Sequence, residues 1–194
     1  MVYTIYETNC IIFDIRNIQE NDVLIKAFSD KFGVISIIAT SFRKETSKLK
    51  GNIKAFSVNK IAVVRGKEFF RLTDVHHKFL FAGSKSLVQF LRIAEGLFFN
   101  DERDYFEDVN TEIYDMIIHL CKFIIYTVKG GKDNKRHVLD TITVFFTVYI
   151  RGLQGFTDKI NNLNEMLSLE GEELSVWFET KMIDVHNSNK KLSF

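Results

Sequence analysis

At 194 residues, with 46% hydrophobic and 26% charged positions, the chain is long enough to bury a core without disulfides or structural metals. Its two cysteines exclude a disulfide framework and a cysteine-rich zinc site. The formal net charge of +1 hides an asymmetry, because residues 1–83 carry +5 and residues 84–194 carry −4, as expected of two halves with different duties.

The first half reads as strands. Tyr3 to Arg16 is rich in β-branched and aromatic residues, Val23 to Ser29 forms a second run, and Gly33 to Thr40 a third. Asp30, Lys31, Phe32 and Gly33 form a short connection in which the glycine supplies the turn, predicting a hairpin. Ser57 to Arg65 and Glu68 to Val75 are joined through Gly66 and Lys67, which predicts a second one. Five strands with one longer loop between the third and fourth fit a small closed barrel. The five-stranded OB-fold is the expected home, with an SH3-like barrel as the structural rival.

The stretch Phe42 to Arg71 covers that longer loop and the second hairpin. It holds nine Lys or Arg against Glu45 and Glu68, a net charge of +7. Concentrated cations beside strands and aromatics point to a surface that meets a polyanion, most simply nucleic acid. The candidate binding residues are Arg43, Lys44, Lys48, Lys50, Lys54, Arg65, Lys67 and Arg71. Phe42, Phe56 and one of Phe69 and Phe70 are candidate rings for base stacking. Phe42 is the one assigned that role, although a core position is the commoner use of such a ring.

From Ser84 the apolar period changes to that of a helix. Leu87, Phe90, Leu91, Ala94, Leu97 and Phe98 share one face behind a Ser84 cap. A second helix presents Ile113, Met116, Ile117, Leu120, Cys121, Ile124 and Val128 and stops at Gly130–Gly131. A third, from about Arg136 to Leu153, is apolar nearly all round and is expected at the centre of a bundle. Weaker helices are expected near 157–169 and 171–185, and the tail 187–194 is expected to fray. The expected architecture is α+β in two parts: an OB-fold β-barrel over residues 1–80, then an all-α helical bundle over 81–194.

Catalytic motifs are missing. The sequence holds no Gly-rich phosphate loop, no His-Glu-x-x-His helix and no Gly-x-Ser-x-Gly elbow. The neighbours His76 and His77 are expected on opposite faces of a strand and not as joint ligands. The acidic group Asp101, Glu102, Asp104, Glu107 and Asp108 reads as a solvated loop before a helix N-terminus. Cys10 and Cys121 read as small buried hydrophobes. No enzyme, no cofactor and no metal site is expected. The N-terminus lacks the pattern of a signal peptide, and the run Ile117 to Val128 is too short and too interrupted to cross a bilayer. A soluble, cytoplasmic protein without a membrane partner is therefore expected.

These residues resemble the RecO family of bacterial recombination mediators and DNA repair proteins. The resemblance is carried by Gln19 to Asp22, by Phe28-Ser29-Asp30-Lys31-Phe32-Gly33 and by Ile38-Ala39. It continues through Arg43-Lys44, Ser47-Lys48-Leu49-Lys50-Gly51, Ala55-Phe56-Ser57, Arg65-Gly66-Lys67-Glu68 and Leu72-Thr73. In the helical half, Asn110 to Asp115 and Gly152 to Phe156 are also similar to the family. Three departures stand out. Ala39-Thr40-Ser41 lacks the family's lysine, Ala55 replaces its usual proline, and no cysteine follows Phe156 where many members hold zinc. The resemblance implies binding of single- and double-stranded DNA, strand annealing, and partnership with RecR and with the acidic C-terminal tail of single-strand DNA-binding protein. It also implies assistance in RecA loading and a nucleoid-associated place in the cytoplasm. An acidic-peptide adaptor and an RNA-binding protein remain alternatives from the residues alone.

Overall fold

The structure, a computed structural model, describes residues 4–81, 84–99, 110–129, 135–153, 163–170, 172–174, 176–178 and 180. The expected acidic loop 101–108, the Gly130–Gly131 stop, Gly155–Phe156, the start of the helix expected at 157–169 and the tail 187–194 lie outside these residues. Two compact units are present, Met1–Asp115 and Met116–Phe194.

The first unit contains five strands, β1 (Ile5–Asn17), β2 (Val23–Ser29), β3 (Gly33–Ala39), β4 (Ser57–Arg65) and β5 (Phe70–Leu80). They close into a barrel in the order β1-β2-β3-β5-β4. Closure rests on a short parallel contact, Ile37 opposite Phe70 and Ile38 opposite Arg71, while every other neighbour pair is antiparallel. Inward positions alternate as a pleated strand requires: Val23, Ile25 and Ala27 on β2, Ile35, Ile37 and Ala39 on β3, Ile61 and Val63 on β4. Gly33 opens β3 with φ 64°, a left-handed turn conformation that suits glycine.

β1 breaks the alternation, since Cys10, Ile11, Ile12 and Phe13 are all buried. The reason is a second layer. Helix α1 (Lys85–Phe99) lies over the outer side of β1 and β2, bringing Phe98 to 4.7 Å from Phe28 and 6.0 Å from Phe13. Phe13 is the extra residue of a bulge between Ile12 and Asp14, so the strand bends under the helix. Ser84 caps α1 as expected, its hydroxyl accepting from the Leu87 amide at 3.4 Å. The first turn of α2 (Asn110–Lys129) belongs to this unit as well, through Thr111, whose hydroxyl donates to the Asp30 carbonyl at 3.0 Å.

β5 runs to Leu80, five residues beyond the expected end at Val75. His76 and His77 pair with Lys60 and Asn59 of β4. They diverge as expected: His76 meets Asp74 at 3.3 Å on the outside, and His77 lies 3.3 Å from the Asn59 side chain.

The second unit holds the rest of α2 with α3 (Lys135–Leu153) and α4 (Leu163–Ser168), and the described residues from 172 to 180 are helical. An aromatic cluster joins them, with Phe145 5.2 Å from both Trp177 and Phe178, and Phe123 5.8 Å from Phe178. α3 is not apolar all round: Asp140, Val144 and Arg151 are exposed, so one side meets water. Among the described residues no helix is long and apolar enough to cross a membrane.

Candidate nucleic-acid interface

The basic connection between β3 and β4, residues 40–56, is built from the inside out. Phe42 and Ile53 are buried in the barrel's core cluster and Leu49 packs against it, so three apolar side chains plug the barrel mouth. Around them Arg43, Lys44, Lys48, Lys50 and Lys54 are exposed. Backbone turns stiffen the path, with the Ser47 amide bonding the Lys44 carbonyl at 3.0 Å and the Asn52 amide the Leu49 carbonyl at 3.1 Å.

Both ends of the loop are held in the left-handed region by residues that are not glycine, Ser41 at φ 54° and Phe56 at φ 57°. Such a backbone persists where neighbours fix it. At the entry the Ser41 amide donates to the Asp22 carboxylate at 2.8 Å, and the Arg43 amide donates to the Asn21 carbonyl at 3.0 Å. At the exit the Phe56 amide donates to Ile12, and the Phe56 carbonyl accepts from Phe81, both at 2.8 Å.

The hairpin supplies the other candidates. Arg65, Lys67 and Arg71 are exposed there. Gly66 is required by space and not by φ: a Cβ on it would sit 2.4 Å from the Phe69 carbonyl oxygen, which accepts the Gly66 amide at 3.0 Å. Arg71 stands opposite Ile38, two residues before the loop begins. The nine residues of β4 set the loop's exit and the hairpin roughly 25 Å apart. The cations thus form a loop group and a hairpin group, with Arg71 at the β3–β5 seam where the loop departs.

Among the described residues, acids engage the Arg16 and Lys60 side chains, neither of which belongs to the candidate set. None of the eight makes an ion pair among the described residues, and Arg43 alone of them makes a side-chain hydrogen bond, to the Glu20 carbonyl at 3.1 Å. Elsewhere Lys60 meets Glu7 at 2.6 Å, a contact that holds the Glu7 carboxyl below its ordinary range, and Arg16 meets Asp14 at 2.5 Å. Lys31 bonds the Glu7 carbonyl, and Lys78 the Asn9 side chain. Unpaired exposed cations keep their charge available to an anion.

Phe42 does not take the stacking role assigned from the sequence. It is 7% exposed and faces the core. Phe56 is also buried, with the Arg92 guanidinium 5.4 Å above its ring. The exposed ring of the stretch is Phe69.

An anchoring network went unread in the sequence. The Asp30 carboxylate accepts from the Thr8 hydroxyl at 2.5 Å, the Asn9 amide at 3.1 Å and the Asn9 side chain at 2.7 Å. The Ser29 hydroxyl accepts the Lys31 and Phe32 amides, each at 3.1 Å. Together these fix the β2–β3 turn against β1. In the helical unit a pocket of about 350 Å³ is lined by His119, Lys122, Phe123, Tyr126, Glu170 and Leu174. Burial holds the His119 imidazole below its usual range, against a bond to the Leu169 backbone that works the other way.

Residues 1–79 match the family described as recombination protein O, N terminal. The chain is similar to the DNA repair protein RecO of Mesoplasma florum, 24% identical over 62% of this chain and 52% of that protein. It is 21% identical to the RecO of Clostridium acetobutylicum over 98% of this chain and 61% of the relative. A Synechocystis RecO is 31% identical over 40% of this chain and 29% of its own length. In the longest of these alignments the chain spans about three fifths of the relative.

Proposed function

From the match of residues 1–79 to the recombination protein O N-terminal family, we propose that the chain is a RecO-like, DNA-binding recombination mediator. In this reading the barrel is an OB-fold, residues 1–80 form the nucleic-acid-binding domain and residues 81–194 the helical domain. The basic loop and hairpin are the binding surface. The protein binds single and double strands, brings complementary strands together and assists RecA loading in recombinational repair, without making or breaking a bond in the DNA. RecR and the acidic tail of single-strand DNA-binding protein are its partners, and it works at the nucleoid.

The observation that carries the reading is the set of eight exposed cations that make no ion pair among the described residues, five of them around the apolar plug of the loop. Neutralising phosphates on two strands lowers their mutual repulsion, and released counterions supply most of the affinity. An adaptor that binds acidic peptides would use the same charge, so competition decides. A fluorescent single-stranded oligonucleotide bound to the protein is challenged with an acidic peptide, unlabelled DNA and RNA of the same sequence. The proposal requires that DNA displaces the probe at far lower concentration than the peptide. Displacement by the peptide at the lower concentration would favour the adaptor, and displacement by RNA before DNA an RNA-binding role.

A further inference from the structure

Three rings meet at the end of the barrel that carries the β2–β3 turn. Tyr6 lies edge-on to Phe32 with centroids 5.5 Å apart, and Phe32 lies 5.1 Å from Phe70. Phe32 and Phe70 rest one side on the core cluster yet stay half-buried, and Tyr6 is 36% exposed. In the adjoining turn Phe69 is 38% exposed. Four aromatic side chains therefore show surface to water in one region.

The surroundings are cationic. Arg65 is the cross-strand partner of Phe70, and paired residues share a side of the sheet. Lys67 is exposed between them in sequence, and Lys31 precedes Phe32. The nearby acids are Glu68 in the adjoining turn, Glu7, whose carboxylate is engaged by Lys60 at 2.6 Å, and Asp30, whose carboxylate is engaged by Thr8 and Asn9. The Asp30 and Ser29 bonds hold the turn bearing Lys31 and Phe32 in place before any ligand arrives.

We infer that Tyr6, Phe32, Phe69 and Phe70 form a stacking platform for unpaired bases, which makes this end of the barrel selective for single-stranded nucleic acid. The inference rests on the nucleic-acid reading above and adds to it a division of labour. The loop cations hold phosphates of any strand, while the rings accept only bases free of a partner. A duplex keeps its bases stacked on one another and has no face to offer, whereas each unpaired base has an exposed π surface. Charge alone would not make that distinction.

The test compares an oligothymidylate with an abasic oligomer carrying the same number of phosphates, titrated at one salt concentration. The wild-type protein is expected to bind the oligothymidylate roughly tenfold tighter or more, as stacking on even one ring allows. The double variant Tyr6→Leu, Phe32→Leu keeps apolar bulk without a ring and should bring the two affinities together, with the salt dependence of binding unchanged. Equal wild-type affinities for the two oligomers, or an undiminished preference in the folded variant, would overturn the platform while leaving the phosphate-binding role standing. Binding of neither oligomer at low salt would overturn both. If the leucine variant melts far below wild type, the wild-type comparison still decides, with Phe69→Ala as the surface variant expected to reduce the preference.

Discussion

Phe42 provides a sharp separation of core from ligand contact, because the same ring was assigned to base stacking from the sequence and lies in the barrel mouth in the structure. Replacing it with alanine removes a buried ring from a plug shared with Ile53 and Leu49. Such truncations cost about 3–5 kcal/mol, the sum of lost transfer energy and residual cavity. The lower half of that range applies, since the site is at an open end where the loop can settle inward. Against a total stability of about 5–15 kcal/mol, a loss of that size moves the urea midpoint by about 1 M or more. Phe42→Leu keeps most of the volume and should lose much less. The assay is urea unfolding followed by circular dichroism, with oligonucleotide binding measured on each folded variant. Phe42→Leu is expected to bind DNA as wild type does. A leucine variant of wild-type stability with clearly weakened DNA binding would refute the core assignment and restore the ring to the ligand.

Glycine substitutions should separate the hairpin from the loop. Gly66→Ala places a Cβ against backbone at 2.4 Å and is expected to lower the melting temperature by several degrees, whereas Gly51→Ala meets nothing within 4 Å and should be tolerated. The pH dependence of the helical unit should reflect His119. Its folded-state affinity for a proton is lowered by burial, so the unfolded chain binds more protons once pH falls below about 6.5, the ordinary imidazole value. Stability is then fully present above that pH and falls as pH drops through it, and His119→Gln should flatten this part of a melting-temperature profile between about pH 7 and 5. A profile unchanged by the substitution would show that the imidazole is not the titrating group.

The parts of the fold legible in the sequence are those where one local signal decides. β2 runs over Val23–Ser29 as its alternation requires, and the Ser84 cap and the α1 face Leu87, Phe90, Leu91, Ala94 and Phe98 follow from helical spacing. The +7 segment was visible as charge, and its cations are exposed. Other features depend on partners distant in the chain. His76, His77 and Lys78 carry no apolar alternation, and only pairing with β4 and the Asn9 side chain keeps that part of β5 extended. Phe42 in a polar loop has the composition of an exposed ring, and nothing local says that Leu49 and Ile53 will turn inward with it. The anchor joining Thr8, Asn9 and Asp30 links residues more than twenty positions apart, each of which is an ordinary polar residue in its own strand or turn.

The most direct measurement is binding of a single-stranded oligonucleotide across a salt series by wild type and by the variant Arg43→Ala, Lys44→Ala, Lys48→Ala, Lys50→Ala. All four side chains are exposed and none makes an ion pair among the described residues, so the fold should be little affected. Each lost phosphate contact removes about 0.7 from the slope of log K against log salt, so the variant should bind more weakly with a slope shallower by up to about 3. Parallel lines of equal affinity for the two proteins would contradict the assignment of the loop as the phosphate-binding surface.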